Sequence, residues 1–415
     1  GNHNMEQVHL SPKGKNKNIL FMGPLYQNDK EAEILASSVV KGSVAPNLFQ
    51  WNLLHGMEKH LGKPVQVINA LPVGVWPKHY KNLVLNTRFW DNDGTPCYEV
   101  GTVNLPVIKQ LGRVWGARKI LKKWAREDTE IVIYSAYMPF LQALRRLPRN
   151  VKITIIITDL PEYYDLGKTT SIRKVLRSWQ NKIIYSCFER VNRFIILTEQ
   201  MREPLHIGNR PWLLLEGICS ETAEYVEPAS ASDEKIILYT GTLHYQYGIK
   251  NLLDAFEAID DSKARLWICG GGEAEKEIIR LIKKDPRVHF WGFCDQKTIR
   301  QYQGKASILV NPRPNEGEYT KYSFPSKTME YMASGKPIVM CKLDGVPSEY
   351  EPFLYMIEGN TTEALKKMLT YVLEHPKEAQ QKGAAAQRFV RENKSASKQA
   401  ERVLKFIEID VANAK

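Results

Sequence analysis

The sequence predicts an α/β protein made of two Rossmann-like, doubly wound domains. Its 415 residues are too many for a single hydrophobic core to be the default. Short apolar runs alternate with segments of helical period, and the same alternation restarts after one polar stretch. Near-continuous apolar strands separated by helices are typical of parallel sheets covered on both faces. Such sheets bind ligands at the carboxyl ends of their strands.

Strands are expected where short runs rich in apolar and β-branched residues occur. In the first half these are Asn18–Met22, Val65–Asn69, Ile131–Tyr134, Ile153–Thr158, Phe194–Thr198 and Leu213–Glu216. In the second half they are Ile236–Thr240, Arg265–Cys269, Val288–Trp291, Ser307–Asn311, Pro337–Cys341 and Leu354–Ile357. Apolar residues at helical spacing predict helices between them, the clearest being Phe49–His60, Val114–Arg126, Leu252–Ile259, Ala274–Lys284 and Ser326–Ala333.

The domain boundaries follow from the interruption of this alternation. Residues 220–234 are rich in Glu, Ala and Ser and are predicted to be a linker. The two domains are then residues 5–219 and 235–390, because residues 1–4 precede Met5 and are expected to be an expression remnant. Residues 391–415 are expected to form a C-terminal helix that packs back on the N-terminal domain.

The net charge of +12 lies entirely in the N-terminal half. Residues 1–205 carry 29 Lys and Arg against 17 Asp and Glu, whereas residues 206–415 carry 29 of each. Two basic segments, Arg113–Arg126 and Arg173–Lys182, also contain tryptophans. They suit an anionic membrane surface or an acidic acceptor. The alternative is a solvated helix face whose tryptophans belong to the core. Nucleic acid is not expected as a partner, because half of the chain is neutral and no reading motif is present.

The cysteine and hydropathy patterns indicate a reducing compartment. Six scattered cysteines without a CxxC pair favour free thiols. No run reaches the ~18–20 apolar residues that cross a bilayer. We therefore expect a cytoplasmic protein, either free or peripheral on the inner face of the membrane. The nine histidines include no HxxxH or clustered pair, so no metal site is predicted.

The most informative segment is Asn311–Cys341, where a strand ends, a polar loop follows and a helix opens. Pro325 stands near the helix start, where its missing N–H costs nothing. The amides of Ser326, Lys327 and Thr328 would then point out of the helix N-terminus. Free amides, the helix dipole and the Lys327 ammonium together predict an anion site. Glu330, one turn further on, can accept hydrogen bonds from sugar or ribose hydroxyls.

This segment resembles glycosyltransferase family 4, in the branch that makes bacterial capsular polysaccharides and exopolysaccharides. The match is FPSKTMEYMASGKPIV at Phe324–Val339, in the place of the family's Glu-x7-Glu element. Supporting matches, over the rest of the C-terminal domain and the end of the N-terminal one, are YTGTLHYQYGIKNLLDAF (Tyr239–Phe256), LWICGGGEAEKEI (Leu266–Ile278), FWGF (Phe290–Phe293) and ILTEQM (Ile196–Met201). The resemblance implies a GT-B fold, in which two Rossmann-like domains face a central cleft. The N-terminal domain would bind the acceptor and the C-terminal domain the nucleotide-sugar.

Carried over to this chain, the resemblance assigns the donor-binding residues by position. Glu330 would bind the donor ribose, and Ser326, Lys327 and Thr328 would bind the diphosphate. Phe293 and Cys294 fall where the family's backbone holds the base. Gly241 and Thr242, at the end of a strand, would approach the phosphates or the donor sugar.

The chain also departs from the family pattern. The first Glu of the pair falls at Tyr322, and the Arg and Lys that usually grip the diphosphate fall at Thr242 and Tyr247. Arg313 and Lys327 are the best local substitutes, because guanidinium and ammonium groups both suit phosphate. Alternatively, Arg313 is a surface loop residue and Glu330 a charge on the face of a helix.

On the acceptor side, Asp159 ends a predicted strand and is placed to accept a proton or orient an acceptor hydroxyl. A loop-bracing aspartate is the alternative. Tyr137 ends the preceding strand region and could line the same site.

The predicted function is that of a retaining glycosyltransferase acting in surface polysaccharide synthesis. Its donor would be a UDP- or GDP-linked sugar and its acceptor a saccharide or a lipid-linked saccharide. The resemblance implies retention without a covalent nucleophile, with Asp159, Lys327 and Glu330 as the catalytic candidates. The C-terminal, donor-binding domain contains no DxD motif, which agrees with metal independence. An inactive GT-B scaffold and a nucleotide-sugar epimerase remain the alternatives.

Overall fold

The computed structural model describes residues 17–37, 44–163, 170–220 and 233–408. The described chain divides into two compact units. The first unit consists of two segments, the chain up to Ile218 and the chain from Ala396 onward. The second unit is Cys219–Ser395. Most of the predicted linker, residues 221–232, lies outside the described residues.

The first unit alternates strands and helices. Its strands are β1 (Asn18–Gly23), β2 (Gln66–Asn69), β3 (Val84–Leu85), β4 (Arg88–Asn92), β5 (Thr95–Glu99), β6 (Thr102–Val103), β7 (Thr129–Tyr134), β8 (Lys152–Ile157), β9 (Arg193–Ile196) and β10 (Trp212–Leu214). Its helices before the second unit are α1 (Glu31–Ser37), α2 (Val44–Leu61), α3 (Ile108–Trp124), α4 (Met138–Leu144) and α5 (Ser171–Phe188).

Eight of these described strands form one sheet in the order β10-β9-β8-β7-β1-β2-β5-β4. Neighbouring strands are parallel, except that β4 is antiparallel to β5. Strands β3 and β6 pair separately. The interior strands are buried along almost their whole length, as expected for a parallel sheet covered by helices on both faces.

The second unit repeats the pattern. Its strands are β11 (Lys235–Thr240), β12 (Ala264–Cys269), β13 (Val288–Gly292), β14 (Ile308–Asn311), β15 (Ile338–Cys341) and β16 (Tyr355–Ile357). Its helices are α6 (Ile249–Glu257), α7 (Glu275–Lys284), α8 (Gln296–Lys305), α9 (Ser326–Ala333), α10 (Thr362–Glu374) and α11 (Pro376–Asn393). The sheet is parallel throughout, in the order β13-β12-β11-β14-β15-β16. This is the strand order of a Rossmann fold, whose direction reverses between β11 and β14.

The last helix of the described chain, α12 (Ala396–Glu408), belongs to the first unit. Val403, Leu404 and Ile407 lie in the same buried cluster as Leu53 and Met57 of α2. The sequence predicted that this C-terminal helix begins at residue 391. In the structure α11 continues to Asn393, and the chain turns at Lys394–Ser395 before α12 begins.

The predicted fold class is confirmed, and all twelve predicted strands coincide with strands of the structure. The β4–β5 hairpin was not predicted, although its turn carries a signal. Asp93 and Gly94 both have positive φ, 52° and 95°, as a two-residue hairpin turn requires, and Asp-Gly is a preferred pair there. In the described part of the chain, no helix is both long enough and apolar enough to span a bilayer.

Candidate functional site

A cavity of about 190 Å³ lies where the strand order of the second unit reverses. The carboxyl ends of β11 and β14 and the first turn of α9 form its walls. The side chains and backbone around it include Gly241, Thr242, Tyr247, Arg313, Ser326 and Lys327. Whole ligand pockets are usually about 300–1,000 Å³, so this cavity has the size for part of a ligand, such as a diphosphate. The structure therefore brings together five of the predicted donor-site residues.

The first turn of α9 supplies free backbone donors to this cavity. Pro325 precedes the helix with φ −61°, so the chain enters the helix without strain. The amides of Ser326 and Lys327 have no acceptor among the described residues. The prediction that Thr328 also presents its amide is wrong, because that N–H donates to the Pro325 carbonyl at 2.9 Å. The first turn thus closes with an i to i+3 hydrogen bond, and Thr328 itself is buried and does not line the cavity.

The Lys327 ammonium lies inside the cavity wall, where it donates a hydrogen bond to the carbonyl oxygen of Thr240. Burial lowers the pKa of this lysine, while the charge of Glu330 acts in the opposite direction. Gly241 makes the approach possible. Its φ is +150°, and a Cβ atom there would lie 2.9 Å from the Lys327 nitrogen. A partly desolvated cation that faces a neutral carbonyl is a strong candidate for binding an anion.

Arg313 provides a second cation on the same wall. Its guanidinium donates to the Tyr319 hydroxyl and lies 5.4 Å from the ring centre of Tyr247 and 4.9 Å from that of Tyr319. Its Nε atom is buried and has no hydrogen-bond partner among the described residues. Tyr247 is one of the two positions where the family pattern has a basic residue. Arg313 therefore places a positive charge beside the position that lacks one, and it is not a freely exposed loop residue.

Two buried tyrosines of the cavity wall were not predicted. The Tyr331 hydroxyl lies 2.7 Å from the Thr240 hydroxyl, and the Tyr239 hydroxyl donates to the Thr242 carbonyl at 2.7 Å. Burial raises the pKa of both phenols, so both stay neutral donors. The Tyr331 contact joins the end of β11 to α9, and the Tyr239 bond braces the loop that follows β11. The Thr-Gly pair that follows Tyr239 marked this strand end in the sequence, but nothing there indicated that the tyrosines cross-link it.

Glu330 lies on α9 but outside the cavity wall. Its carboxylate accepts hydrogen bonds from Gln296 at 3.0 Å and Gln303 at 3.1 Å, both on α8. The two amides orient one carboxylate oxygen, Oε1, so Glu330 is more than an unoriented charge on a helix face. Its assignment to the donor ribose stays a prediction.

The predicted base-binding residues follow β13. Gly292 has φ +66°, and the chain turns there before α8. Phe293 is 91% exposed, while Cys294 is half-buried and its thiol lies 3.6 Å from the Gly292 carbonyl. Neither residue lines the cavity around Lys327. The role that the resemblance assigns to these two residues belongs to their backbone, and it stays a prediction.

In the first unit, Asp159 follows β8 and its side chain is exposed to solvent. Surrounding protein atoms partly desolvate the carboxyl and raise its pKa, and a hydrogen bond from Thr158 opposes this effect. Tyr137 precedes α4, and its hydroxyl accepts a hydrogen bond from Arg113 at 2.7 Å. Asp159 thus stands at the carboxyl edge of its sheet as predicted, and a catalytic role for it remains a prediction. In the described residues no group of His, Cys, Asp and Glu could hold a metal ion.

Comparisons with known proteins agree with this geometry. Residues 221–389 match the family described as glycosyl transferases group 1. An uncharacterized glycosyltransferase of Methanocaldococcus jannaschii is 30% identical over 118 residues, which are 28% of this chain and 29% of that protein. A second relative is TuaH of Bacillus subtilis, which is named as a teichuronic acid biosynthesis glycosyltransferase. It is 29% identical over 124 residues, which are 27% of this chain and 30% of that protein. The matched region thus spans less than a third of either relative.

A solved structure extends the likeness to both units. Sucrose-phosphate synthase from Thermosynechococcus elongatus superimposes with a TM-score of 0.63 at 15% identity, over 94% of this chain and 98% of that one. At this identity the likeness concerns the fold alone. The assignment to family 4 in particular stays a prediction. Residues 221–389 therefore match the glycosyl transferases group 1 family, in a chain whose fold is that of GT-B glycosyltransferases.

Proposed function

We propose that this protein is a retaining glycosyltransferase that uses a UDP- or GDP-linked sugar as donor. Its acceptor would be a saccharide or a lipid-linked saccharide in surface polysaccharide synthesis. The observation that carries the proposal is the cavity of the second unit, where Lys327, Arg313 and two free helix amides converge at a strand-order reversal. Phosphate groups bind at such helix starts and at such reversals. The group 1 family match and the teichuronic acid relative support the same class of reaction.

The proposed chemistry depends on stabilising the departing diphosphate. Lys327 would exchange its contact with the Thr240 carbonyl for one with a phosphate oxygen, and the charge it meets grows as the sugar–phosphate bond breaks. The amides of Ser326 and Lys327 stay fixed during this step, so they need no reorganisation. Positioning of donor and acceptor on one face of the sugar would account for retention. The proposed reaction needs no divalent ion, because the chain's own cations carry out this role.

Glu330 would fix the nucleoside end of the donor. Two amide hydrogen bonds to Oε1 orient its carboxylate, which would accept hydrogen bonds from the ribose hydroxyls. Asp159 would orient or deprotonate the acceptor hydroxyl, and its raised pKa suits a carboxyl that takes up a proton during the reaction.

The test is nucleotide binding followed by turnover. UDP or GDP should raise the melting temperature of the wild-type chain, while uridine and guanosine, which lack phosphates, should not. The Glu330→Ala variant should show a smaller shift, and the matched variant Glu363→Ala, an exposed glutamate at the start of α10, should behave as wild type. A chain that no nucleoside diphosphate stabilises would not be a donor-dependent transferase.

Turnover separates the remaining alternatives. A transferase releases nucleoside diphosphate in proportion to the acceptor that is glycosylated. An epimerase changes the configuration of the sugar without an acceptor, which NMR of the nucleotide-sugar detects. A scaffold binds the nucleotide but turns over nothing. The scaffold alternative rests on Tyr322, Thr242 and Tyr247, where the family's Glu, Arg and Lys are missing.

A further inference from the structure

Helix α3 of the first unit is apolar on two opposite faces. Val114, Ala117 and Leu121 are buried against the unit. On the other face Ile108, Leu111 and Trp115 are exposed, and Trp115 is 77% exposed. Because each residue turns about 100° around a helix, Ala117 lies about 160° from Trp115. The core therefore cannot explain the apolar residues of the outer face. The alternative that Trp115 is a core residue is wrong.

Helix α5 carries a second apolar stripe that the core does not cover. Ile172, Val175, Leu176 and Trp179 follow the i, i+3, i+4, i+7 spacing of one helix face, and all four are exposed. Trp179 is 63% exposed. The buried residues of α5 are confined to its C-terminal end, at Ile184, Cys187 and Phe188. Like Trp115, Trp179 is therefore not a core tryptophan.

The two helices lie in one layer. The short helix α4 contacts both α3 and α5. All three helices connect parallel strands that step in the same direction across the sheet, so right-handed crossovers place them on the same face. Their exposed stripes therefore belong to one side of the unit, which we call the α3/α5 surface. It comprises the exposed residues Ile108, Leu111, Trp115, Ile172, Val175, Leu176 and Trp179, with the basic side chains beside them.

The charge of this surface has one sign. Of the six Lys and Arg of α3, Lys109 and Arg113 donate to carbonyl oxygens inside the unit, and the other four, with the four Lys and Arg of α5, belong to this side. Neither helix contains Asp or Glu. On α3, Lys119 and Lys122 continue the outward stripe that Ile108, Leu111 and Trp115 begin, because they follow Trp115 at i+4 and i+7. Exposed apolar side chains, two tryptophans and a uniform positive charge thus coincide.

We propose that the α3/α5 surface docks the protein on an anionic lipid bilayer. Tryptophan and aliphatic side chains enter the boundary between headgroups and acyl chains, while Lys and Arg contact the anionic headgroups. The charge complementarity decides between occupants. A second copy of this chain would set two like-charged surfaces against each other in a two-fold interface, which is unfavourable. This inference does not depend on the proposed transferase activity.

Flotation of the purified full chain with vesicles tests the proposal. Wild type should float with phosphatidylcholine vesicles that contain phosphatidylglycerol, and much less with phosphatidylcholine alone. High salt should weaken the binding, because it screens headgroup charge. Binding that is equal on both vesicle types, or absent on both, would overturn the proposal.

Two sets of variants separate the apolar and the charged contributions. Trp115→Ser with Trp179→Ser should lower vesicle affinity about tenfold or more, because both interfacial anchors are lost. Lys119→Gln, Lys122→Gln and Lys123→Gln together should lower it on the order of a hundredfold on anionic vesicles. The matched controls are Ile279→Ser with Ile282→Ser, and Lys276→Gln, Lys283→Gln and Lys284→Gln, all exposed on α7 of the second unit.

The controls should float as wild type does, and all of these variants should melt as wild type does, because every changed side chain is exposed. Undiminished flotation of the tryptophan variant or of the lysine variant would contradict the proposal. Sedimentation velocity tests whether a second copy of this chain, instead of lipid, covers the α3/α5 surface. If wild type self-associates and the Trp115→Ser, Trp179→Ser variant is monomeric, a second copy covers this surface and the lipid proposal is wrong.

Discussion

The two units share a Rossmann-like parallel core, to which the first adds the antiparallel strand β4, but they place their charges differently. In the second unit, the cations Lys327 and Arg313 line the cavity at the strand-order reversal, and the described structure offers them only neutral hydrogen-bond acceptors. In the first unit, a buried arginine at the opposite, amino end of the sheet is paired. Arg193 of β9 contacts Glu130 of β7 at 2.8 Å, with both side chains almost fully buried.

This contrast shows what charge does in each unit. The ion pair of the first unit is satisfied inside the protein and contributes to the fold. The cations of the second unit are held by carbonyl and hydroxyl oxygens, which a phosphate can replace. Topology alone therefore does not identify a binding site. The distinguishing feature is a partly buried cation whose hydrogen-bond acceptors in the described structure are neutral oxygens.

The largest expected effect is on the buried ion pair. Glu130→Ala should lower the free energy of unfolding of the first unit by about 3–5 kcal/mol, because the buried Arg193 loses the carboxylate that it contacts. Urea denaturation followed by tryptophan fluorescence measures this. Nucleoside diphosphate binding to the second unit should persist in urea concentrations that leave that unit folded.

The double variant Glu130→Leu, Arg193→Leu is the control. Removing both charges should recover much of the stability, since replacing a buried pair with apolar groups is often neutral. A single Glu130→Ala variant as stable as wild type would mean that the pair contributes nothing, and the contrast between the units would lose its basis.

The next effect concerns the cavity of the second unit. Lys327→Met keeps most of the side-chain stem but deletes the charge. It should weaken nucleoside diphosphate binding about tenfold to a hundredfold, since a charge-assisted hydrogen bond contributes about 1.5–3 kcal/mol. Isothermal titration calorimetry measures the affinity. If the contact forms mainly as the diphosphate departs, turnover should fall more than affinity.

The pH dependence sharpens this test. Burial lowers the pKa of Lys327 below that of a free lysine, and a bound diphosphate favours its protonated form. Affinity should therefore fall as pH rises through the lowered pKa, and Lys327→Met should remove that dependence. Lys321→Met, an exposed lysine six residues earlier, is the matched control. Unchanged affinity and turnover in Lys327→Met would rule out its phosphate role.

The smallest expected effect is the pH dependence of stability that comes from Lys109, a buried cation of the first unit. The Lys109 ammonium donates to the Val73 carbonyl, and burial, aided by the charge of Arg113, lowers its pKa to about 7. The unfolded chain keeps this lysine protonated up to the ordinary pKa of about 10.4. Between these values the unfolded state binds more protons, so the stability contributed by this group rises with pH.

Lys109→Met should remove this pH dependence. The stability of wild type relative to the variant should therefore increase by on the order of 1 kcal/mol between pH 6 and pH 8. Urea denaturation of both proteins at the two pH values gives the difference, in which the other titrating groups cancel. A difference that stays constant would show that Lys109 titrates normally.

The site was partly predictable. Pro325 and Ser326 identified the helix start because a helix N-terminus has a local signature, here a proline beside a short polar residue. The free amides at Ser326 and Lys327 follow from the same local geometry. The hydrogen bond of the Thr328 amide was not predicted, because it depends on whether the first helical turn closes with an i to i+3 bond. The amides that hold Glu330 come from Gln296 and Gln303, about 30 residues away on another helix.

The sequence by itself determined the two α/β units, the helix start at Ser326 and the uneven distribution of charge. These properties depend on hydrophobic period, turn residues and composition, which are local or additive along the chain. Only the tertiary structure decided that Arg313 stacks beside Tyr247, that Lys327 is partly desolvated at the Thr240 carbonyl, and that Trp115 and Trp179 face outward. Burial and pairing are set by residues far away in the chain, and a helix that is apolar on two faces does not reveal which one the core will cover.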